Sequence, residues 1–294
     1  MKVRNSIQRT PRGILLYFTA GVLLVTLWGC APQEQIAKRE CPGALSAAES
    51  VSNLELQSEK AVSVKANGQC LLRYYDEDAK LQKENFAVKL WVNPPSELYL
   101  QGDVAMNAKG IVLGSNSEEF WLAIRPKEIS GYWWGKWDEQ ENLAKVLINP
   151  KVLLEAVGVS EVSCRDSWSL SKEGGFDVLT KRNGSVESRK VYVDTCDYLV
   201  RRIEYFDLKG QRVLVAELDR YKEVVEGFSV PRFIKIVNEG GNSEDSVEIT
   251  LNLKSVKKTS FSEKQQAVFF GRPEPCRFEH VYKIVGGNTF EETE

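Results

Sequence analysis

One histidine in 294 residues is the first scarcity of this chain. That residue, His280, has no serine motif and no carboxylate pair near it in sequence, so a Ser-His-acid triad would have a base and nothing to work with. The patterns GxSxG, P-loop and HExxH are all missing, which removes the common hydrolase, nucleotide and zinc-protease signatures. No cysteine spacing is CxxC, so neither a zinc site nor a thioredoxin-like pair is expected. Carboxylates abound in "WDEQE" and "SEEF", but adjacent acids in turns are ordinarily solvated, and general acid–base work needs one in a dry cleft. The chain is therefore expected not to be an enzyme and to need no cofactor or metal; a hydrolase using His280 is the outside alternative. An excess of positive charge is missing as well: 39 basic residues face 41 acidic ones, and nothing argues for nucleic acid.

Acidic residues are absent from the first 29 positions, and what is there has the three parts of a secretory signal. Lys2, Arg4, Arg9 and Arg12 precede the uninterrupted apolar run "GILLYFTAGVLLVTLWG". The run ends in Leu27, Trp28, Gly29 and Cys30, which resembles a bacterial lipobox: a branched apolar residue at −3, a small one at −1, then the cysteine that receives diacylglycerol. Trp28 is the departure, since that place normally holds a small or medium residue. The competing reading is an uncleaved membrane anchor, for which ~17 residues is the short limit. Both readings put everything after residue 30 outside the cytoplasm. Two or three acyl chains on Cys30 would anchor the chain stably, where one would not. Ala31, standing where an Asp would favour inner-membrane retention in enteric bacteria, makes the outer membrane, periplasmic face, the expected destination and the inner membrane the alternative.

Without the signal, 265 residues remain, enough for one large domain or two small ones, with 35 basic against 41 acidic residues. Hydrophobic residues at 43% and aromatics at 10% exclude a chain disordered throughout. Cysteine usage agrees with an oxidising compartment. Beyond Cys30 stand Cys41, Cys70, Cys164, Cys196 and Cys276, an odd set that allows at most two bridges and leaves the pairing open. Closeness in sequence and nearness to expected strands favour Cys164 with Cys196 and Cys41 with Cys70.

The organisation divides as residues 1–29 signal, 30–43 polar tether, 44–270 folded domain and 271–294 irregular tail. The domain opens with "ALSAAESVSNLELQS", whose Ala44, Ala47, Ala48, Val51 and Leu54 recur at helical spacing. From residue 61 the period is two: "AVSVKANGQCLLRYY", "NFAVKLWV", "LYLQGDVAM", "GIVLGSN" and "EEFWLAIRP" read as strands of an antiparallel meander, interrupted at Pro94 and Pro95. "SGYWWGKWDEQ" packs three of seven tryptophans into five residues between Gly131 and a loop. "NPKVLLEAVGV" reads as a second helix with Asn149 as cap, Pro150 in the first turn, Val152, Leu153, Ala156 and Val157 inward, and Gly158 at its end. A further series from "DSWSLSKE" to "DSVEITLNL" is strand-rich. In the last, Val247, Ile249, Leu251 and Leu253 face one way and Glu248, Thr250 and Asn252 the other, so one sheet face is wet there. Ten to twelve antiparallel strands with two or three helices predict a mainly β (α+β) chain: an unclosed antiparallel barrel, or highly curved sheet, whose helices cover an apolar cavity.

The order of these elements carries a resemblance. A lipobox, a short helix, "FAVKLWVNPPSELYLQGDVAMNAKGIVLGSNSEEFWLAIRP", a Pro-started helix, then "VYVDTCDYLVRRIEYFDLKGQRVLVAELDRYKEVVEGFSVPRFIKIV" is similar to the LolA/LolB lipoprotein-carrier superfamily over residues 44–262. The likeness lies in pattern and order, not in an invariant motif. It implies a half-barrel that accepts acyl chains, with a role in transport of lipids or lipoproteins or their insertion into the outer membrane, and a periplasmic carrier as a candidate partner. A chain that is itself lipidated is more similar to the membrane-bound receiver. That type has a protruding apolar residue on a strand-connecting loop; here "QGDVAMNAKG" offers Val104 and Met106, which could equally end strands and pack inward. Inward strand positions and the tryptophan cluster offer Leu90, Leu98, Leu100, Phe120, Leu122, Ile124, Trp133 and Trp134 as cavity-lining candidates, each of which could instead be plain core. A structural or assembly lipoprotein of the same fold, with a filled interior and no cargo, is the alternative function.

Overall fold

A computed structural model describes residues 41–75, 78–104, 107–126, 130–139, 150–159, 162–239, 246–276, 278–286 and 288–291. Cys30, Met106 and Asn149, and the expected signal and most of the tether, lie outside these. Residues 40–294 form one compact unit, and among the described residues no helix is long and apolar enough to cross a membrane.

One sheet organises that unit. Helix α1 (Ala47–Glu59) comes first, started by Ser46, whose hydroxyl accepts the Glu49 N–H at 3.2 Å. Strand β1 (Val64–Tyr75) pairs with β2 (Leu81–Asn93) in a long hairpin, Val64 facing Val92 and Tyr75 facing Leu81. The chain then meanders through β3 (Glu97–Val104), β4 (Asn107–Ser115), β5 (Glu119–Ile124) and β6 (Gly131–Lys136), each antiparallel to the one before. Helix α2 (Pro150–Ala156) follows, with Pro150 in its first turn as expected and Gly158 just beyond at φ +93°. A second meander runs β7 (Trp168–Glu173), β8 (Phe176–Asn183), β9 (Val186–Asp194), β10 (Val200–Phe206), β11 (Arg212–Val225), β12 (Phe228–Asn238) and β13 (Val247–Lys258). Its last strand, β13, lies antiparallel against β1, which joins the two meanders.

The expected irregular tail is regular in part, and the strands among the described residues outnumber the expected ten to twelve. Ser262 opens helix α3 (Glu263–Phe270) with a capping box completed by Gln265. Strand β14 (His280–Val285) then pairs parallel with β6, and β15 (Asn288–Glu291) closes the series. Among the described residues the sheet has 15 strands, with β15 at one edge and β7 at the other, so it is curved and unclosed.

Both faces of the sheet are covered in part. The inner face meets α1 and α2 in one apolar cluster containing Val51, Leu54, Leu153, Leu179, Ile234 and Leu251. Each such side chain stabilises by roughly 1.5–3 kcal/mol on full burial. On the outer face of β3–β6 a second cluster of Tyr99, Val112, Trp121, Ala123 and Tyr132 is capped by Phe270 of α3. Gly114 permits this packing, because a Cβ there would lie 2.3 Å from the Trp121 indole.

The start of the domain is pinned rather than free. Cys41 is bonded to Cys196 with Cα atoms 5.1 Å apart, and the Ala44 N–H donates to the fully buried carboxylate of Asp177 at 2.6 Å. Cys41, expected in the tether, is thus tied to the folded unit. The favoured pairing of Cys164 with Cys196 and Cys41 with Cys70 is also corrected. Cys164 precedes β7 and Cys196 follows β9; since β7, β8 and β9 alternate in direction, the two lie at opposite ends of the sheet. Cys70 is buried on the inner face of β1.

Candidate functional site

The space between the inner face and helices α1 and α2 is where a half-barrel could hold a ligand. Strand alternation delivers seven of the eight expected lining residues to that side. Leu90 and Leu100 face each other across β2 and β3, Leu122 faces Leu113 across β4 and β5, and Trp133 faces Leu122 from β6. Phe120, Leu122 and Ile124 alternate along β5, and Leu98 pairs with Val92. Trp134 is the exception: as the neighbour of Trp133 in a strand it must point to the opposite face, where it joins the outer cluster with Arg272 stacked 4.1 Å from its ring.

These positions are packed. Leu90, Leu98, Leu100, Phe120 and Leu122 are between 0% and 7% exposed, whereas the walls of an open acyl channel would be accessible. Ile124 and Trp133 are half-buried, the latter stacked on Tyr282 at 5.3 Å. Val104, offered as a membrane-contact residue, is 9% exposed and belongs to the inner cluster. Its side chain continues the inward series of Leu98 and Leu100 along β3, so it packs instead of protruding.

Inside this apolar layer lies a polar cluster that the sequence reading missed. Glu155 of α2 accepts a hydrogen bond from Arg189 Nη2 of β9 at 2.7 Å and another from the Tyr205 hydroxyl of β10. Glu155 and Arg189 are only 7% and 9% exposed. The guanidinium also lies over the rings of Tyr205 and Trp168, at 5.6 and 5.8 Å. Beside the pair is a void of about 30 Å³, bordered by Leu54, Gln57, Gly158, Tyr221 and Phe228. The Tyr221 hydroxyl donates to the Val200 carbonyl, and burial pushes its pKa up. A signal for Arg189 existed: it sits two residues before Val191 and four before Val193, so the period of β9 places a charge on an apolar face. Glu155 was hidden among Leu153, Leu154, Ala156 and Val157.

His280 begins β14, exposed, with its ring 6.1 Å from that of Tyr282. Among the described residues, no three His, Cys, Asp or Glu side chains converge as metal ligands would. Burial pushes the Cys70 thiol up to about 12, so it is inert at neutral pH.

No family model matches the sequence, and neither does any curated protein. Solved structures do match. A domain from Vibrio parahaemolyticus named for outer membrane lipoprotein sorting is 12% identical with a TM-score of 0.50, covering 74% of this chain and 94% of that one. A DUF1329 family protein from Desulfovibrio piger is 11% identical with a TM-score of 0.51, covering 76% and 95%. A LolA superfamily protein from Nitrosomonas europaea is 13% identical with a TM-score of 0.47, covering 77% and 98%. At such identities the likeness is one of architecture: this chain shares with the Vibrio and Desulfovibrio proteins the fold of an unclosed, mostly antiparallel sheet covered by helices.

Proposed function

We propose that the chain is an envelope lipoprotein, anchored through a lipidated Cys30 in the outer membrane and facing the periplasm, that receives lipid or lipoprotein acyl chains between its sheet and its helices. The observation that carries this reading is the way α2 closes the inner face. A seven-residue helix has no independent stability. It is held by Val152, Leu153, Ala156 and Val157 against the sheet and by the Glu155–Arg189–Tyr205 cluster. Lifting this one element would uncover a continuous apolar floor without disturbing the ladder of the sheet. Ten methylenes placed there would yield ~8 kcal/mol, offset by lost chain freedom and by desolvation of the polar cluster. The name of the Vibrio domain supports the analogy, and a periplasmic carrier protein is the partner this reading proposes for delivery of such cargo.

A second reading rests on a specific observation. The void beside α2 has room for about one water, which suits a structural or assembly lipoprotein whose interior is filled by its own side chains. Native mass spectrometry of the full-length protein extracted from membranes separates the two. Acyl species that co-purify with the native chain, and increase in Glu155→Ala, support the carrier. Their repeated absence from both folded proteins leaves the structural reading. The anchor has its own test: Cys30→Ala should release the chain from membranes, and complete retention would assign anchorage to the apolar run instead.

A further inference from the structure

The face of the sheet opposite α1 and α2 carries a recess of about 220 Å³ where β13, β1 and β2 lie side by side. Two cross-strand rows line it: Trp91, Lys65 and Lys257 in one, Lys89, Asn67 and Ser255 in the next. All six side chains share one face by the period of two, away from the buried Val64 and Ala66. The recess coincides with a β-bulge. Asn67 faces Ser255 while Gly68 faces Leu253, so Lys254 has no opposite residue and β13 bends locally. The backbones are so close there that a Cβ on Gly68 would lie 2.1 Å from the Asn252 carbonyl oxygen.

Three ammonium groups converge on this recess. Lys65 and Lys257 stand directly opposite each other, a pairing that repels. Lys89 adds a third ammonium on the neighbouring row, and the lining includes no carboxylate. Among the described residues none of the three makes an ion pair within 4 Å. Lys89 acts at longer range on Asp103, whose carboxyl is held below its ordinary range chiefly by the Lys109 N–H and Gln101. This convergence occurs on a chain that is acidic overall. Trp91, half-buried and stacked on Phe269 of α3 at 4.8 Å and 19°, supplies a fixed apolar wall.

We propose that this recess binds a phosphorylated polyol, its phosphate among the ammonium groups of Lys65, Lys89 and Lys257 and its carbon skeleton against Trp91. The volume is below that of pockets for drug-sized ligands and suits one headgroup-sized unit. The same chemistry is presented by an anionic phospholipid headgroup and by a free sugar phosphate. The site is on the face away from the acyl space and does not depend on the carrier reading.

Titration calorimetry on the full-length chain in neutral detergent tests it, with glucose 6-phosphate, dihexanoylphosphatidylglycerol below its micelle concentration, and glucose as probes. Both phosphorylated probes should bind saturably in the millimolar range or tighter, weaken with added salt, and leave glucose unbound. Tighter binding of the lipid probe assigns the site to a headgroup, and equal or tighter binding of the sugar phosphate assigns it to a soluble ligand. Lys65→Gln, Lys89→Gln and Lys257→Gln together should cost at least about tenfold in affinity. The three changes are at exposed positions, and the matching Lys→Arg triple variant should retain binding. The proposal is overturned if neither phosphorylated probe binds, or if the glutamine variant, folded by circular dichroism, binds as tightly as the native chain.

Discussion

Replacing Glu155 by alanine is the sharpest test of how the interior is held. In the native chain its carboxylate meets Arg189 Nη2 at 2.7 Å and the Tyr205 hydroxyl, with the side chains of Glu155 and Arg189 only 5% and 10% exposed. Removing the carboxylate leaves a guanidinium inside an apolar cluster without its counter-charge, which costs about 3–5 kcal/mol. The adjoining void of about 30 Å³ has room for about one water to solvate the stranded group, so we expect the lower end, about 3 kcal/mol. For a domain of this size each kcal/mol moves Tm by about 2–4 °C, giving a fall of about 6–12 °C. Arg189→Met alone strands the carboxylate and should cost a similar amount. The double variant Glu155→Leu, Arg189→Met strands no charge, costs the Tyr205 hydroxyl its Glu155 acceptor, and keeps apolar contact of the methionine with Trp168 and Tyr205, so its stability should return to within about 1–2 kcal/mol of native. Urea unfolding followed by tryptophan fluorescence, with the disulfide intact, measures all four proteins. If the double variant loses the sum of the two single losses, the pair is not coupled and the account of α2 closure fails.

Three further outcomes follow from the geometry. Peptide mapping without reductant should recover a Cys41–Cys196 linked peptide, and Cys41→Ser should lower stability by about 2–5 kcal/mol because the bridge closes a span of 155 residues; a Cys164–Cys196 peptide would contradict the fold at β7–β9. Iodoacetamide at pH 8 should modify the exposed Cys164 and Cys276 while sparing Cys70, whose thiol is pushed up to about 12 by burial, until the chain is unfolded; labelling of Cys70 as fast as Cys164 would refute its burial. Gly68→Ala should destabilise by about 1–3 kcal/mol in thermal unfolding, since the added methyl meets a backbone carbonyl that cannot rotate away; an unchanged Tm would mean that the strands do not approach as described.

The apolar strand positions of this chain were legible because a period of two leaves only two faces to choose between. Val247, Ile249, Leu251 and Leu253 could be assigned to one side without knowing any partner, and all four lie in the inner cluster. The same rule, applied strictly, separates Trp133 from Trp134, which composition alone had grouped. Helix α3 also left a local mark, Ser262 with Gln265 three residues on, but eight residues are few for a helical stripe to show.

Local sequence determined the element types, the caps and the inward side of each strand, because these depend on backbone preference and on residues a few positions apart. Which strands become neighbours was decided only by the tertiary structure. The β1–β13 junction, the parallel seat of β14 on β6, the Cys41–Cys196 bridge and the Glu155–Arg189 pair all join positions that carry no mark of each other along the chain. The lysine recess is the clearest instance: three unremarkable charges from three strands become one site when β13, β1 and β2 are placed side by side. The physical reason is that pairing energy accrues to an assembled sheet, and no short segment contains the partner that defines it.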